Sequence, residues 1–488
     1  MTLLTELVHW ASELTLDRVP DRVVELTKSQ LLSQLAAIRA GLSHPQGRKV
    51  LAAFGPPLQP DLKQSAVALA GLGSWLHFDD TAYAGHLSNS TVAVPISYAH
   101  GLGLDGRQLL TAIVAANECA ARVTAAATLG SFRGQLAAHT SLAGAISGRL
   151  HCAGAPAARW LDAFGLALAM PLWNLTHGFM ASDARLLNAA LPVRIGLDAC
   201  DAAGAGLRGA PDILEHPQGF LARFAAVPVP EAVTDGLGQR WHTETLSFKV
   251  HPSGPGTDAA VDCALELHRR LGPLRADAVA EVLVEASLYT LLVNRTASAY
   301  LGGPDPPISA LVSTTPYPTA TALLTGALRP ADFAAPALHC ADRWALAGKV
   351  RLAHDEAMTV ALLAAEAPFG EALRQAGDRA TGWLHDFGGL RLVELLGPAG
   401  LRSPTFSSAR KATPARVTVR LHNGRIDHHQ RDIPVGALGP DTRHSHRELV
   451  RAKFLGTGGK AEVADAVTEL DRLDTAAVRQ LLGLGLTM

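Results

Sequence analysis

The chain has 488 residues and 51.1 kDa, 48% of it hydrophobic and 18% charged. That composition buries enough apolar surface to offset the entropy of ordering, which excludes a disordered protein and leaves room for about two or three domains. With 43 basic and 44 acidic residues the net charge is −1, so the basic face of a nucleic-acid binder is missing.

The opening MTLLTELVHW lacks the basic and apolar regions of a secretory signal. The longest nearly uninterrupted apolar run, 163–173, is about half a membrane span and contains Pro171. Five scattered cysteines without a C-x-x-C pair read as small buried hydrophobes in a reducing compartment. The expectation is a cytoplasmic protein with neither membrane nor nucleic-acid partner.

Most of the first 240 residues carry helical periodicity. Pro20 opens DRVVELTKSQLLSQLAAIRAG, whose apolar residues fall mostly on one face, and Gly41 is expected to close it. Alanine-rich helices follow at about 65–76, 106–128, 136–152, 155–170 and 185–203, with few clean polar faces, as in a large helical interior. After residue 265 the pattern changes. AVAEVLVEASLYT alternates apolar and polar residues and reads as a strand. In PARVTVRLHNGRIDHHQRDIPV, Asn423-Gly424 marks a hairpin. Helices lie between at about 319–328 and 355–366, and 445–484 returns to helical spacing. The expected fold is mainly α: a helical domain from residues 1–262 and 441–488, with an α+β lid domain at 263–440.

The usual catalytic signatures, such as a P-loop, H-E-x-x-H or G-x-S-x-G, are absent. One polar cluster stands inside apolar sequence, SWLHFDDTAYAGHLSNSTVAVP, with His77, Asp79, Asp80, Thr81 and His86. Its plain reading is a helix cap and turn beside a surface histidine, because caps and turns are where Asp and Thr belong. Its functional reading is a catalytic loop between buried helices.

The same cluster resembles the signature of the MmgE/PrpD family, which includes 2-methylcitrate dehydratase and cis-aconitate decarboxylase. That signature runs L-D-F-D-D-T and then H-P-S; here it is Leu76-His77-Phe78-Asp79-Asp80-Thr81 and then His86-Leu87-Ser88. Further similar segments follow in order: LAAIRAG at 35–41, Glu118 with Arg122, GAPDILEHPQGF at 209–220, SFKVHPSGPGTDAAVDCALEL at 247–267, TTPYPTATALLTGAL at 314–328 and ELVRAKF at 448–454. Together they cover nearly the whole chain.

The resemblance implies a cleft in which Thr81, His86 and Tyr317 match active-site positions of the family. Four positions depart from it: His77 stands for an aspartate, Arg185 for a lysine, and Arg133 and Asp258 for histidines. His139 lies six residues beyond Arg133, and Lys249 is the family's lysine of its K-P-Y-P segment. The family's chemistry needs cations to hold carboxylates and a histidine or tyrosine to move a proton beside one of them. The expected catalytic set is therefore His86 or His77 as proton carrier, oriented by Thr81 and Tyr317. Arg185 and Arg133 hold the anion, with Asp79, Asp80, His139, Lys249 and Asp258 completing the binding set. Asp258 either adds negative charge, which weakens binding of a polyanion, or pairs with Arg133 or Arg185 and leaves the pocket nearly neutral; both make a citrate-like substrate a poor fit.

The expected function is a cofactor- and metal-independent lyase or isomerase, dehydratase- or cyclase-like, acting on a carbonyl- or carboxylate-bearing small molecule, with a role in specialised metabolism. The resemblance also implies a homodimer. Two alternatives stand beside it: ordinary 2-methylcitrate, cis-aconitate or amino-diacid chemistry, and a non-catalytic ligand-binding protein.

Overall fold

A computed structural model describes residues 1–130, 137–302, 305–396 and 403–488. Helices hold 62% of the chain, which fixes a mainly helical class with a small sheet region. The central helix is Gly106–Ala127, started by an Asp105–Gln108 capping box. It alone among the described residues is long and apolar enough to cross a membrane, and it is wholly buried in the protein. It packs on Ala138–Cys152, and Leu187–Gly204 packs on that helix in turn. Alanine and glycine at these faces leave the backbones room to approach. Gly41 works in this way and does not end its helix, which runs Asp21–Ser43. A Cβ there would lie 2.2 Å from the carbonyl oxygen of Leu72.

The C-terminal helices Pro440–Gly456, Ala461–Thr468 and Thr475–Leu486 all pack on Asp21–Ser43. The four-stranded sheet has Val279–Ala286 at its centre, parallel to Val350–His354 on one side and antiparallel to Ala415–Leu421 on the other. Ile426–Arg431 completes it through the hairpin at Asn423-Gly424, where Gly424 takes φ 88°. The helix Asp258–Leu271 lies on this sheet, so the boundary expected at 262/263 would cut one continuous helix. The expected strand through Thr290 is shorter. Ser287 caps a helix, Leu288–Ser298, by accepting from the Thr290 N–H, and this turns Tyr289 out of the sheet.

One buried ion pair ties the loop at 233–243 to the central helix. Arg122 donates to Glu118 (3.3 Å) and to the carbonyls of Val233, Asp235 and Arg240, while Glu118 accepts from the backbone of His242 and Thr243. Each charge is thereby hydrogen-bonded on all sides, the condition for tolerating it in a core. The loop leads directly to Ser247–Phe248, which pairs with the polar cluster. Four cysteines are buried and unpaired, whereas Cys340, expected to be buried, is exposed at a helix start.

Candidate active site

The polar cluster folds as a loop clamped from both sides. The helix Leu62–Ser74 ends just before it, and Asp80–Thr81 then pairs antiparallel with Ser247–Phe248. A tight turn follows, closed by reciprocal hydrogen bonds of 3.0 Å between Ala82 and Gly85. His77 and Tyr83 are the only non-glycine residues with left-handed backbone among those described, at φ 48° and 52°. Such conformations cost free energy and concentrate at functional sites.

The two aspartates point opposite ways, as neighbours in an extended segment must. Asp80 takes the N–H groups of Leu87 and Ser88 (3.2 and 3.0 Å) and the Gln30 amide (2.8 Å), so it closes the loop and starts the helix Ser88–Thr91. Burial and the neighbouring Asp79 charge push its carboxyl upward. Asp79 faces His86 and accepts from its Nδ1 at 2.8 Å, with the Asn89 amide on the same oxygen. Burial would raise Asp79, but His86 and Arg185 outweigh it and hold the carboxyl below its usual range. The Lys453 ammonium fastens the loop from below, donating to the carbonyls of Phe78 and Asp79 (3.4 Å) and to Ser33 (2.8 Å).

His77 and His86 stand with ring centroids 5.1 Å apart and line two neighbouring cavities that share wall residues. The outer cavity, about 310 Å³, is mostly apolar, with Phe179, Met180, Leu292 and Val293 on its wall. The inner one, about 40 Å³, has a half-polar wall that includes Thr81, Lys249, Lys411 and Thr413. Tyr289 borders both. Arg185, in the turn Asp183–Leu186, spends its donors on the carbonyls of Trp75 (2.6 Å) and Ser74 (2.9 Å) and on Nε2 of His77. Its guanidinium lies 4.8 Å from the centre of the Phe179 ring. Burial first, then the charges of Arg185, His86 and Lys249, hold His77 well below its ordinary value. With burial opposing its charged form and Nε2 taken by Arg185, it is a neutral imidazole at neutral pH.

The other expected residues divide. Thr81, Lys249, Arg185, His77 and His86 reach the cavities. Asp79 and Asp80 act through the loop, and neither lines a cavity. Asp258, the first residue of the helix Asp258–Leu271, pairs with Lys249, at 2.8 and 3.0 Å, and not with Arg185. Tyr317 does not reach the site: its hydroxyl donates to the Asp332 carbonyl at 2.7 Å, and its ring is buried against Phe333 and Trp344. His139 packs between Phe220 and Phe224 with neither ring nitrogen hydrogen-bonded among the described residues, and burial pushes it down to about 4. Arg133 lies outside the described residues.

Sequence reasoning missed Lys411, Tyr289 and Lys453. A serine before Tyr289 is a cap signal that was available, whereas Lys411 sits in ARKATPAR with no local cue. Among the described residues no three His, Cys, Asp or Glu side chains are grouped to hold a metal. Residues 5–231 match the MmgE/PrpD N-terminal domain and residues 251–382 the MmgE/PrpD C-terminal domain. No curated protein matches the chain.

Proposed function

The chain belongs to the MmgE/PrpD family, whose members are typically lyases of the dehydratase kind, and from that premise we propose a proton-abstracting dehydratase with His86 as its base. The observation that carries this reading is the Asp79–His86 pair opening onto the cavity. Asp79 holds the proton of His86 on Nδ1, which leaves the Nε2 lone pair to accept one from substrate. The Asp79 carboxylate then stabilises the imidazolium that forms, and Asn89 keeps that carboxylate in place.

The substrate carbon that loses its proton lies beside a carbonyl or carboxylate, and its electron pair moves onto that oxygen. Donation from Arg185 makes Nε2 of His77 the acceptor, so the proton of His77 is on Nδ1. That N–H has no protein partner among the described residues. That nitrogen is itself buried, so what the pair offers the developing enolate is the Arg185 charge behind the ring. The enolate expels a β-hydroxyl group, which leaves as water with the proton carried by His86. Tyr289, pushed up to about 12 by burial, keeps its proton and serves as a donor. The homodimer and the cytoplasmic location implied by the family resemblance belong to the same proposal.

The test is proton exchange in heavy water, followed by NMR with 2-methylcitrate, citrate, cis-aconitate and simpler β-hydroxy acids. Deuterium uptake or dehydration that disappears in His86→Ala is the expected result. Exchange that persists in a folded His86→Ala protein, or its absence with every β-hydroxy acid, would overturn the assignment.

A further inference from the structure

Three cations reach the two cavities, and they are not equivalent. Arg185 is committed to Ser74, Trp75 and His77. Lys249 is neutralised by both carboxylate oxygens of Asp258, whose Oδ1 also accepts from Ser253. Lys411 differs. Among the described residues its ammonium has one hydrogen-bond partner, the uncharged Thr81 hydroxyl at 2.6 Å. Its backbone is fixed by donation to the Leu438 carbonyl at 2.8 Å, just ahead of the strand Ala415–Leu421. The side chain keeps some accessible surface because it forms part of the cavity wall. An ammonium so placed, with two donors unspent and no counter-charge bonded to it, is costly until an anion arrives.

We propose that Lys411 is the carboxylate anchor of this site and that the substrate class is a monoanion with an apolar body. The carboxylate occupies the inner cavity beside Lys411 and Thr81, and the body fills the outer cavity along Phe179, Met180, Leu292 and Val293. This rests on reading the cavity as the active site. Size and charge agree. At roughly 15 Å³ per ordered water, the inner space holds two or three waters, room for one carboxylate and not for three. A tricarboxylate would also need cations that Asp258 and the backbone have already taken. Burial and the Lys249 charge, opposed by Asp258, Asp79 and Asp80, push Lys411 down to about 8, as expected of a cation awaiting its partner.

The test is calorimetric titration of the full-length protein at pH 7 with butanoate through decanoate, octanol and tricarballylate. Octanoate should bind at least tenfold more tightly than octanol or tricarballylate, and affinity should rise roughly threefold to fourfold per methylene until the cavity is full. Lys411→Met should weaken octanoate at least tenfold and leave octanol unchanged, and Lys411→Arg should recover part of the loss. Tricarballylate binding as tightly as octanoate, octanol matching octanoate, no binding at any chain length, or an unaffected Lys411→Met would each overturn the proposal. The comparison of octanoate with octanol in the native protein decides the matter even if a variant fails to fold. His86→Ala should still bind octanoate, so loss of exchange in that variant and failure of the anchor are read separately.

Discussion

Arg185 donates a hydrogen bond into Nε2 of His77, so two departures from the family pattern, far apart in sequence, form a single contact. The resemblance puts an aspartate and a lysine at these positions, a pair of opposite charges. Here a neutral ring accepts from a guanidinium whose other donors bond the carbonyls of Ser74 and Trp75. The exchange removes one negative charge from the cavity wall and puts a ring in its place, with its centroid 6.1 Å from that of Phe179. The exchange leaves that wall more positive by one charge, although the Arg185 donors are already spent on Ser74, Trp75 and His77.

The contact fixes a protonation state that can be measured. His77 should remain neutral with its proton on Nδ1 through the range in which an ordinary histidine titrates, because burial and the adjacent Arg185 both oppose a second charge. Long-range proton–nitrogen NMR of histidine-labelled protein, assigned with His77→Gln, reports each ring nitrogen directly. A His77 that titrates near 6.5, or carries its proton on Nε2, would show that Arg185 does not hold the ring.

Asp79→Asn tests the orienting role. The amide can present its NH₂ to His86 and turn the ring to the wrong tautomer. Turnover should fall by roughly 10²- to 10⁴-fold, with KM changed by less than about threefold. The Asp80→Asn comparison separates geometry from chemistry. Asp80 bonds the start of a helix and lines no cavity, so its loss should lower the melting temperature more than it lowers kcat in the surviving fold. Equal kinetic losses in both variants would argue that the loop, and not the dyad, carries the effect.

Periodicity made the helices legible, and Asn423-Gly424 the hairpin, because both are local signals. Of the expected residues that reach the cavities, His77, Thr81 and His86 also stood out as a polar cluster inside apolar sequence, whereas Arg185 and Lys249 were legible only through the ordered resemblance. Tyr317 was misplaced for a reason of the same kind: its segment matches, but a backbone carbonyl fifteen residues on captures its hydroxyl. Lys411 and Lys453 were invisible. Each enters the site from a distant stretch of chain, 330 and 375 residues from its partners Thr81 and Phe78, and long-range contacts leave no periodic trace.

Lys453 gives stability a defined pH dependence. Burial, reinforced by Lys249 and opposed by Asp79 and Asp80, pushes it down to about 7, against roughly 10.4 in an unfolded chain. Between these values the unfolded chain holds the extra proton, so this residue makes stability rise with pH. Below pH 7 both states are protonated and its contribution is flat. The advantage of the native protein over Lys453→Met should therefore grow by about 1 kcal/mol per pH unit above 7. Denaturant melts of both proteins at pH 6.5 and 9 measure it. A difference that does not change with pH would mean that the buried ammonium stays charged throughout.

Two tyrosines separate the sequence expectation from the structure. Tyr317→Phe removes a neutral hydrogen bond to the Asp332 carbonyl, which should cost about 1 kcal/mol of stability and leave turnover within twofold. Tyr289→Phe removes the hydroxyl of a residue that lines both cavities, while its ring keeps its edge contact with Phe369, centroids 5.4 Å apart. Here the fold should be unchanged and turnover should drop by roughly 10²-fold, the loss usual for one donor to a developing oxyanion. Steady-state kinetics beside thermal melts of the two variants decide between them. If Tyr317→Phe lost turnover and Tyr289→Phe did not, the site would have to rearrange on binding to bring Tyr317 in, because in this structure its hydroxyl is held by backbone away from the cavity.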